Sequence, residues 1–91
     1  MELKIGCLVR SLRGHDKGQL HFVMDRAEDG SVLLIDGKSR RYECPKRKNF
    51  RHVEPVLETV PGVSEQLARG ETVKASDIRK ILAAFAASDQ D

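Results

Sequence analysis

The 91-residue chain is poor in aromatic residues and cysteine, and each shortage excludes a class of protein. It has no Trp, one Tyr and three Phe, too few for an aromatic cage around a methylated side chain or for a broad base-stacking platform. Its two cysteines, Cys7 and Cys44, form no Cys-x-x-Cys pair. We therefore expect free thiols in a reducing compartment, with no disulfide, no metal site and no cofactor.

The chain also lacks a long apolar run. It has no apolar stretch of about 18 residues, so we predict no transmembrane helix. The segment Met1–Gly6 carries no apolar stretch typical of a signal peptide. We therefore expect a cytoplasmic protein without a membrane partner. The length predicts one small domain with a modest core and little room for a small-molecule substrate.

Charge is distributed unevenly along the sequence. Residues 1–52 carry 12 Lys and Arg against 7 Asp and Glu, a net charge of +5. Residues 53–91 carry 4 against 7, a net charge of −3. This asymmetry predicts an anionic partner for the first half alone.

The first half has the pattern of a small β domain. Apolar residues alternate or cluster in short runs, and Asp29–Gly30 and Asp36–Gly37 predict tight turns between them. Pro45 should end a strand because it cannot donate to a ladder. Short strands with tight turns favour a barrel, in which closure removes exposed edges. Four or five strands are predicted: three over residues 5–12, 20–24 and 31–35, a short fourth over 40–44, and a short fifth over 49–53 in the five-stranded alternative.

The second half is predicted to be helical. We expect a barrel over 1–53, a linker over 54–63 and a helical segment over 64–91. Ser64 should cap a short helix over 65–69 that Gly70 ends, and Ser76 a longer one over 77–87, with fraying beyond it. The longer helix carries one apolar stripe, which either docks on the barrel or fills a groove of a partner. The stripe contains Ile78, Ile81, Leu82 and Phe85.

Two stretches suit a phosphate ligand. Between the first two strands, Gly14–Gly18 combines backbone flexibility, exposed N–H groups and Lys17, although it could equally be a hairpin connection without a ligand. Residues 38–51 hold seven basic residues and one acid, either a nucleic-acid footprint or a solvated face. Tyr42 and Phe50 in this stretch either pack or stack, and their scarcity favours recognition of RNA by backbone and shape.

The histidines complete the inventory of candidate groups. His15 and His52 lie near the two stretches and could contact RNA, whereas His21 is expected to pack at a strand surface. Cys7 and His21 could meet in space, but nothing in the sequence marks them as a nucleophile and base. We therefore predict that the chain is not an enzyme.

The two stretches together resemble a known family. Residues 5–23, with Gly18 as the central glycine, resemble a KOW motif. The run from Asp36-Gly37-Lys38 through Pro45-Lys46-x-Lys48-Asn49 to His52 resembles the second half of the KOW domain in archaeal and eukaryotic-type large-subunit ribosomal proteins. Short bacterial KOW-domain RNA-binding proteins share this run. The resemblance covers roughly residues 3–53 and implies an SH3-like barrel of about five strands that binds RNA through its loops.

By position, the resemblance implies an RNA-binding surface in two parts. The loop part comprises Arg13, His15, Lys17 and Gly18. The basic face comprises Lys38, Arg40, Arg41, Lys46, Arg47 and Lys48, and Arg51 ends the same stretch. The sequence departs from the family where Cys44 replaces a frequent basic residue. It departs again where an acidic helical segment replaces the basic extensions of the ribosomal proteins.

We therefore predict a non-enzymatic RNA-binding protein that associates with the ribosome, with ribosomal RNA as its main partner and ribosomal proteins as further partners. A regulator of another RNA fits the same pattern. The alternative is a protein-interaction module of the transcription-elongation KOW type, which would contact a polymerase or another protein through the apolar stripe or a barrel edge. A third interpretation is a zinc or thiol enzyme. If the protein were a zinc enzyme, the purified protein should contain bound metal.

Overall fold

A computed structural model describes residues 3–88 of the chain. A 3₁₀ turn (Phe50–His52) joins the last two strands, and two helices follow them, α1 (Val63–Ala68) and α2 (Ala75–Ser88). Of residues 88–91, which were predicted to fray, Ser88 is the last residue of α2 and the other three lie outside the described residues. The strands are β1 (Leu8–Ser11), β2 (Leu20–Arg26), β3 (Ser31–Ile35), β4 (Lys46–Asn49) and β5 (Val53–Leu57).

The five strands form one antiparallel sheet in the order β4-β3-β2-β1-β5. Strands β1 to β4 form a meander, and β5 returns to the outer side of β1. The prediction of a mainly β fold with five strands and a C-terminal helical segment is confirmed. The hydrogen-bonded order ends at β4 on one side and at β5 on the other. Closure of this sheet into an SH3-like barrel by main-chain pairing stays a prediction.

The predicted fourth strand, over residues 40–44, is wrong. Residues 36–45 form a loop in which Asp36 Oδ1 accepts the N–H groups of Lys38 and Arg40 at 2.8 and 3.0 Å. This side chain competes with a strand ladder for the same donors. The strand β4 begins only after Pro45 and pairs with β3 from Leu34↔Lys46 to Ser31↔Asn49.

The predicted fifth strand also needs correction. Asn49 accepts the N–H of Arg51 at 2.9 Å and so caps a 3₁₀ turn where a strand was expected. The strand β5 starts at Val53 and includes the first residues of the predicted linker. Pro55 is tolerated there because β5 is an edge strand paired with β1 alone.

The sheet is apolar on both faces, which explains why β2 is apolar from Leu20 to Met24 except at His21. One face packs against the helices, through Leu8, Phe22 and Ile35 from the strands and Val63, Leu67, Ile78 and Leu82 from α1 and α2. The other face curls over a second cluster. That cluster contains Leu3, Cys7, Val9, Val23, Val32, Leu34 and Val53.

The helices begin slightly earlier than predicted, so Ser64 and Ser76 lie in the first turns and are not caps. Glu65 accepts the N–H of Gly62 at 2.5 Å, while the buried Ser64 hydroxyl donates to the Gly6 carbonyl at 2.7 Å. A Cβ on Gly6 would lie 2.8 Å from the Ser64 Cα, so this contact of α1 with the sheet requires glycine.

The apolar stripe of α2 packs against the sheet and does not face a groove of a partner, which were the two alternatives predicted from the sequence. Ile78 is fully buried and Leu82 nearly so, and Ile81 and Phe85 pack around them. Burying a side chain of this size stabilises the fold by roughly 1.5–3 kcal/mol. Within residues 3–88, no helix has the length and hydropathy needed to cross a membrane.

Candidate nucleic-acid interface

Lys48 holds the Gly14–Gly18 segment, hereafter the glycine loop, from beneath. Its ammonium group donates to Ser11 Oγ at 2.6 Å, to the Arg13 carbonyl at 2.7 Å and to Asp16 Oδ1 at 2.5 Å. The Lys48 side chain is only 7% exposed and that of Asp16 18%. All three ammonium hydrogens therefore have protein acceptors.

Lys48 therefore lies in the interior beneath the glycine loop and is not part of the exposed basic surface. A buried ammonium that already makes three hydrogen bonds has no donor left for a phosphate. Its partner Asp16 is partly desolvated, which opposes ionisation. Even so, the hydrogen bonds and charge of Lys48, with a hydrogen bond from Ser11, hold the pKa of Asp16 below its usual range. The Lys48–Asp16 ion pair stabilises the glycine loop from inside the domain.

Two backbone N–H groups of the glycine loop, and that of the residue after it, are used within the turn. The N–H groups of Lys17, Gly18 and Gln19 donate to the carbonyls of Gly14, Ser11 and Asp16 at 3.2, 2.8 and 2.9 Å. Gly18 adopts φ +87°, a conformation that favours glycine. The sequence predicted that the loop amides face a ligand, but those of Lys17 and Gly18 instead close the turn.

Strand geometry separates the basic triplet at residues 46–48. Successive side chains of β4 point to opposite faces, so Lys46 and Lys48 share one face and Arg47 the other. Arg47 pairs with Asp29 across the neighbouring turn at 2.7 Å. That contact and the Ser31 N–H, the larger cause, lower the pKa of Asp29 to about 2. The three residues therefore do not form one patch.

A polar cleft lies between the glycine loop and the 36–45 loop. It encloses about 250 Å³, and three predicted residues line it: His15, Arg40 and Lys46. Asp16, Gln19, His21, Asp36 and Ser39 complete its wall. Both motifs that the sequence singled out thus converge on this cleft, although they are about 25 residues apart in the chain.

His21 lies in the wall of the cleft and was assigned only to packing. It is 1% exposed, and its Nδ1 has no hydrogen-bond partner among residues 3–88. Burial lowers the pKa of His21, an effect that the nearby carboxylates of Asp36 and Asp16 oppose. The folded protein therefore holds a neutral imidazole at this position.

A second depression, the α2 groove, adjoins the polar cleft and shares Gln19 and Asp36 with it. Gly18 and Lys38 from the predicted surface line this groove, together with Arg79 and Lys80 from α2. Neither α2 cation was predicted from the sequence, because the net charge of residues 53–91 is negative. The apolar stripe at Ile78 and Leu82 indicated which side of α2 faces the sheet, but not which loop lies beside it.

The other predicted residues lie outside both depressions. Arg13, Lys17 and Arg41 are exposed, and Arg41 Nε donates to the Lys38 carbonyl at 3.1 Å. Arg51 lies over the ring of Phe50, 5.6 Å from its centroid.

The two aromatic residues of the basic stretch have different environments. Tyr42 packs against the core under the helices, and its hydroxyl accepts the N–H of Val73 at 2.6 Å. Phe50 is 48% exposed and could stack on a base, though it lines neither the cleft nor the groove. Tyr42 therefore packs, as one reading held, while Phe50 remains available.

The cysteines and the metal-ligating residue types are dispersed. Cys7 is buried and Cys44 exposed, and both are free thiols. Burial, reinforced by the charge of Glu58, raises the pKa of the Cys7 thiol. No group of three or more His, Cys, Asp or Glu side chains within the described residues could hold a metal ion.

Comparison with known proteins gives no family assignment: no family model matches the chain, and no curated protein matches it.

Proposed function

We propose that this chain is a non-enzymatic, cytoplasmic RNA-binding protein that associates with the ribosome and contacts ribosomal RNA phosphates at the polar cleft. The resemblance of both stretches to a KOW domain suggests this role. The convergence of the two stretches on one cleft supports it.

The observation that carries the proposal is a group of unneutralised cations, of which Arg40 and Lys46 line the cleft and the others lie in or next to the two loops that form it. Arg13, Lys17, Lys38, Arg40 and Lys46 have no carboxylate partner within residues 3–88. Asp16 is neutralised by Lys48, and Asp36 accepts two backbone N–H groups. The formal charges of these residues sum to a positive value, which is typical of a phosphate-binding surface.

The mechanism is neutralisation of phosphates by side chains held on an ordered loop. If these five cations each contact a phosphate, counterion release predicts a slope near −4 for log affinity against log salt. The salt dependence is the main signature, since phosphate contacts carry no base sequence information directly.

The fold limits the surfaces that a protein-interaction module, the alternative function, could use to contact a partner. The apolar stripe of α2 is occupied by the sheet, so it is not available to a partner. The outer edge of β5 remains, with Leu57 38% exposed. A largely apolar contact there would change little between about 50 and 200 mM salt, whereas phosphate binding would weaken steeply.

The test compares the wild type with an Arg40→Glu/Lys46→Glu variant, using purified ribosomal RNA as the probe at 50–200 mM salt. The matched control is Arg69→Glu/Lys74→Glu, which makes the same charge change outside the cleft. We expect the cleft variant to bind RNA more weakly, with a salt slope reduced by the value of about two phosphate contacts. The control should keep the affinity and the salt slope of the wild type. Salt-independent binding, or equal losses in both variants, would contradict the proposal.

Charge reversal of Lys48 is unsuitable for this test, because it would also remove the fastening of the glycine loop. The ribosomal assignment needs a separate measurement, crosslinking in cells followed by sequencing of the attached RNA. One sharp peak in large-subunit ribosomal RNA is expected. Scattered or absent crosslinks would favour the protein-interaction module.

A further inference from the structure

The α2 groove continues the polar cleft onto the helical segment. The two depressions meet at Gln19 and Asp36, and the groove is the larger, enclosing about 630 Å³. Its floor is apolar and contains small side chains, Ala83 and Ala86. An extended ligand that enters the cleft therefore has an open path along α2.

The walls of the groove are cationic. Lys38 stands on the 36–45 loop and Lys80 on α2, and both are exposed. Arg79 is half-buried, and its Nη1 donates to the Gly37 carbonyl at 2.6 Å. The one carboxylate in the lining, Asp36, already accepts two backbone N–H groups.

The position of α2 beside the loop is fixed by close packing. A Cβ on Gly37 would lie 2.5 Å from the Ala75 carbonyl oxygen and 3.1 Å from the Ile78 Cβ. Together with the Arg79 hydrogen bond, this contact keeps the cations of the helix next to Lys38. The juxtaposition is a property of the folded chain and does not depend on a ligand.

Among the described residues, no acidic side chain of the second half lines the groove. Glu54, Glu58 and Glu71 pair with Arg10, Lys4 and Arg69 at 3.3, 3.0 and 2.6 Å. None of these acids lines the groove. The negative net charge of residues 53–91 therefore does not describe the face of α2 that borders the groove.

We propose that the α2 groove is the second half of the RNA-binding channel, with Lys38, Arg79 and Lys80 neutralising phosphates of the strand that leaves the polar cleft. This inference rests on the proposed function and extends it to the helical segment. The groove is continuous with the proposed RNA-binding cleft, so one RNA strand could occupy both. An acidic peptide bound in the groove would not need to contact the cleft, and we therefore favour RNA. The helical segment is then part of the binding surface.

The test uses Lys80→Glu and Lys80→Ala in the full chain, with Lys74→Glu as the matched control. Lys74 is exposed, precedes α2 and lines neither depression. With purified ribosomal RNA at 0.1 M salt, Lys80→Ala should weaken binding about sixfold. It should also reduce the salt slope by about 0.8, the value of one phosphate contact. Lys80→Glu should weaken binding further, and Lys74→Glu much less.

The outcomes separate this inference from the proposed function. If Arg40→Glu/Lys46→Glu loses affinity while both Lys80 variants bind like the wild type, the cleft binds RNA and the groove does not. If the Lys80 and Lys74 variants lose affinity equally, the effect is one of net charge and the inference is overturned. If none of these variants alters RNA binding, the proposed function fails as well. In the first case, an acidic peptide becomes the ligand to test in the groove.

Discussion

Replacing Lys48 with methionine tests whether this lysine supports the fold or binds RNA. Lys48→Met keeps the length of the side chain and removes the ammonium group. It leaves Asp16, Ser11 and the Arg13 carbonyl without their shared donor. The loss should appear as a lower free energy of unfolding, because the contact is internal.

The burial of the pair sets the expected size of the effect. Removing one partner of a buried ion pair typically costs about 3–5 kcal/mol, because the other charge stays buried and unpaired. The Asp16 side chain keeps 18% exposure and a hydrogen bond from Ser11, so water would partly hydrate it. We therefore expect a loss of about 2–3 kcal/mol, or roughly 10–20 °C in Tm for a domain of this size.

The measurement is urea unfolding followed by circular dichroism, with Lys46→Met as the control. Lys46 lies two positions earlier on β4 and makes no ion pair within the described residues, so its change should cost less than about 0.5 kcal/mol. A double-mutant cycle with Asp16→Asn should give a coupling free energy of about 1–3 kcal/mol. Below its Tm, Lys48→Met should keep the wild-type salt slope for RNA.

Two results would refute this reasoning. One is a destabilisation by Lys48→Met no larger than that of Lys46→Met, or additive effects in the cycle. The other is a fall of about 0.8 in the salt slope of folded Lys48→Met, which would mean that Lys48 contacts a phosphate.

Two further predictions concern His21 and Gly37. Burial lowers the pKa of His21 in the folded state below the value of about 6.5 expected in the unfolded chain. As the pH falls through that value, His21 is therefore protonated more readily in the unfolded chain than in the folded protein. The free energy of unfolding should fall accordingly. His21→Leu should flatten this fall in urea titrations between about pH 5 and 7, and an equally steep fall would contradict the assignment. Gly37→Ala should cost about 2–5 kcal/mol, since φ is +76° and the new Cβ would meet the Ala75 carbonyl. Gly18→Ala, with the same kind of φ but open space, should cost only about 1–2 kcal/mol, and equal losses would show that packing against α2 is unimportant.

Sequence reasoning located the elements whose pattern is apolar. The strand β3 has the predicted bounds, β2 extends only two residues further, and the stripe of α2 faces the sheet as expected. The strand β4 was missed because its sequence, Lys46–Asn49, contains no apolar residue. Its place in the sheet depends on pairing with β3, which no local pattern reveals.

The candidate site was predicted less well, because charge along a sequence does not show which charges are paired. His15, Arg40 and Lys46 meet at the cleft, and Gly18 and Lys38 line the adjoining groove. Lys48 is buried and Arg47 is paired with Asp29. The exposed Lys80 lies in the half of the chain that its net charge seemed to exclude. The predicted and observed positions of these cations differ because tertiary contacts decide which charges are paired, and a net charge per segment does not show those contacts.

The arrangement of the glycine loop determines how a ligand can be recognised. Since the Lys17, Gly18 and Gln19 amides close the turn and Lys48 fastens it from below, the loop can offer little from those amides to a phosphate. What it contributes is a fixed position for the side chains around the cleft. A preorganised loop costs less ordering on binding than a flexible one. Recognition should then follow the spacing of phosphates along the channel and be insensitive to base sequence, with affinity set by the number of cations engaged.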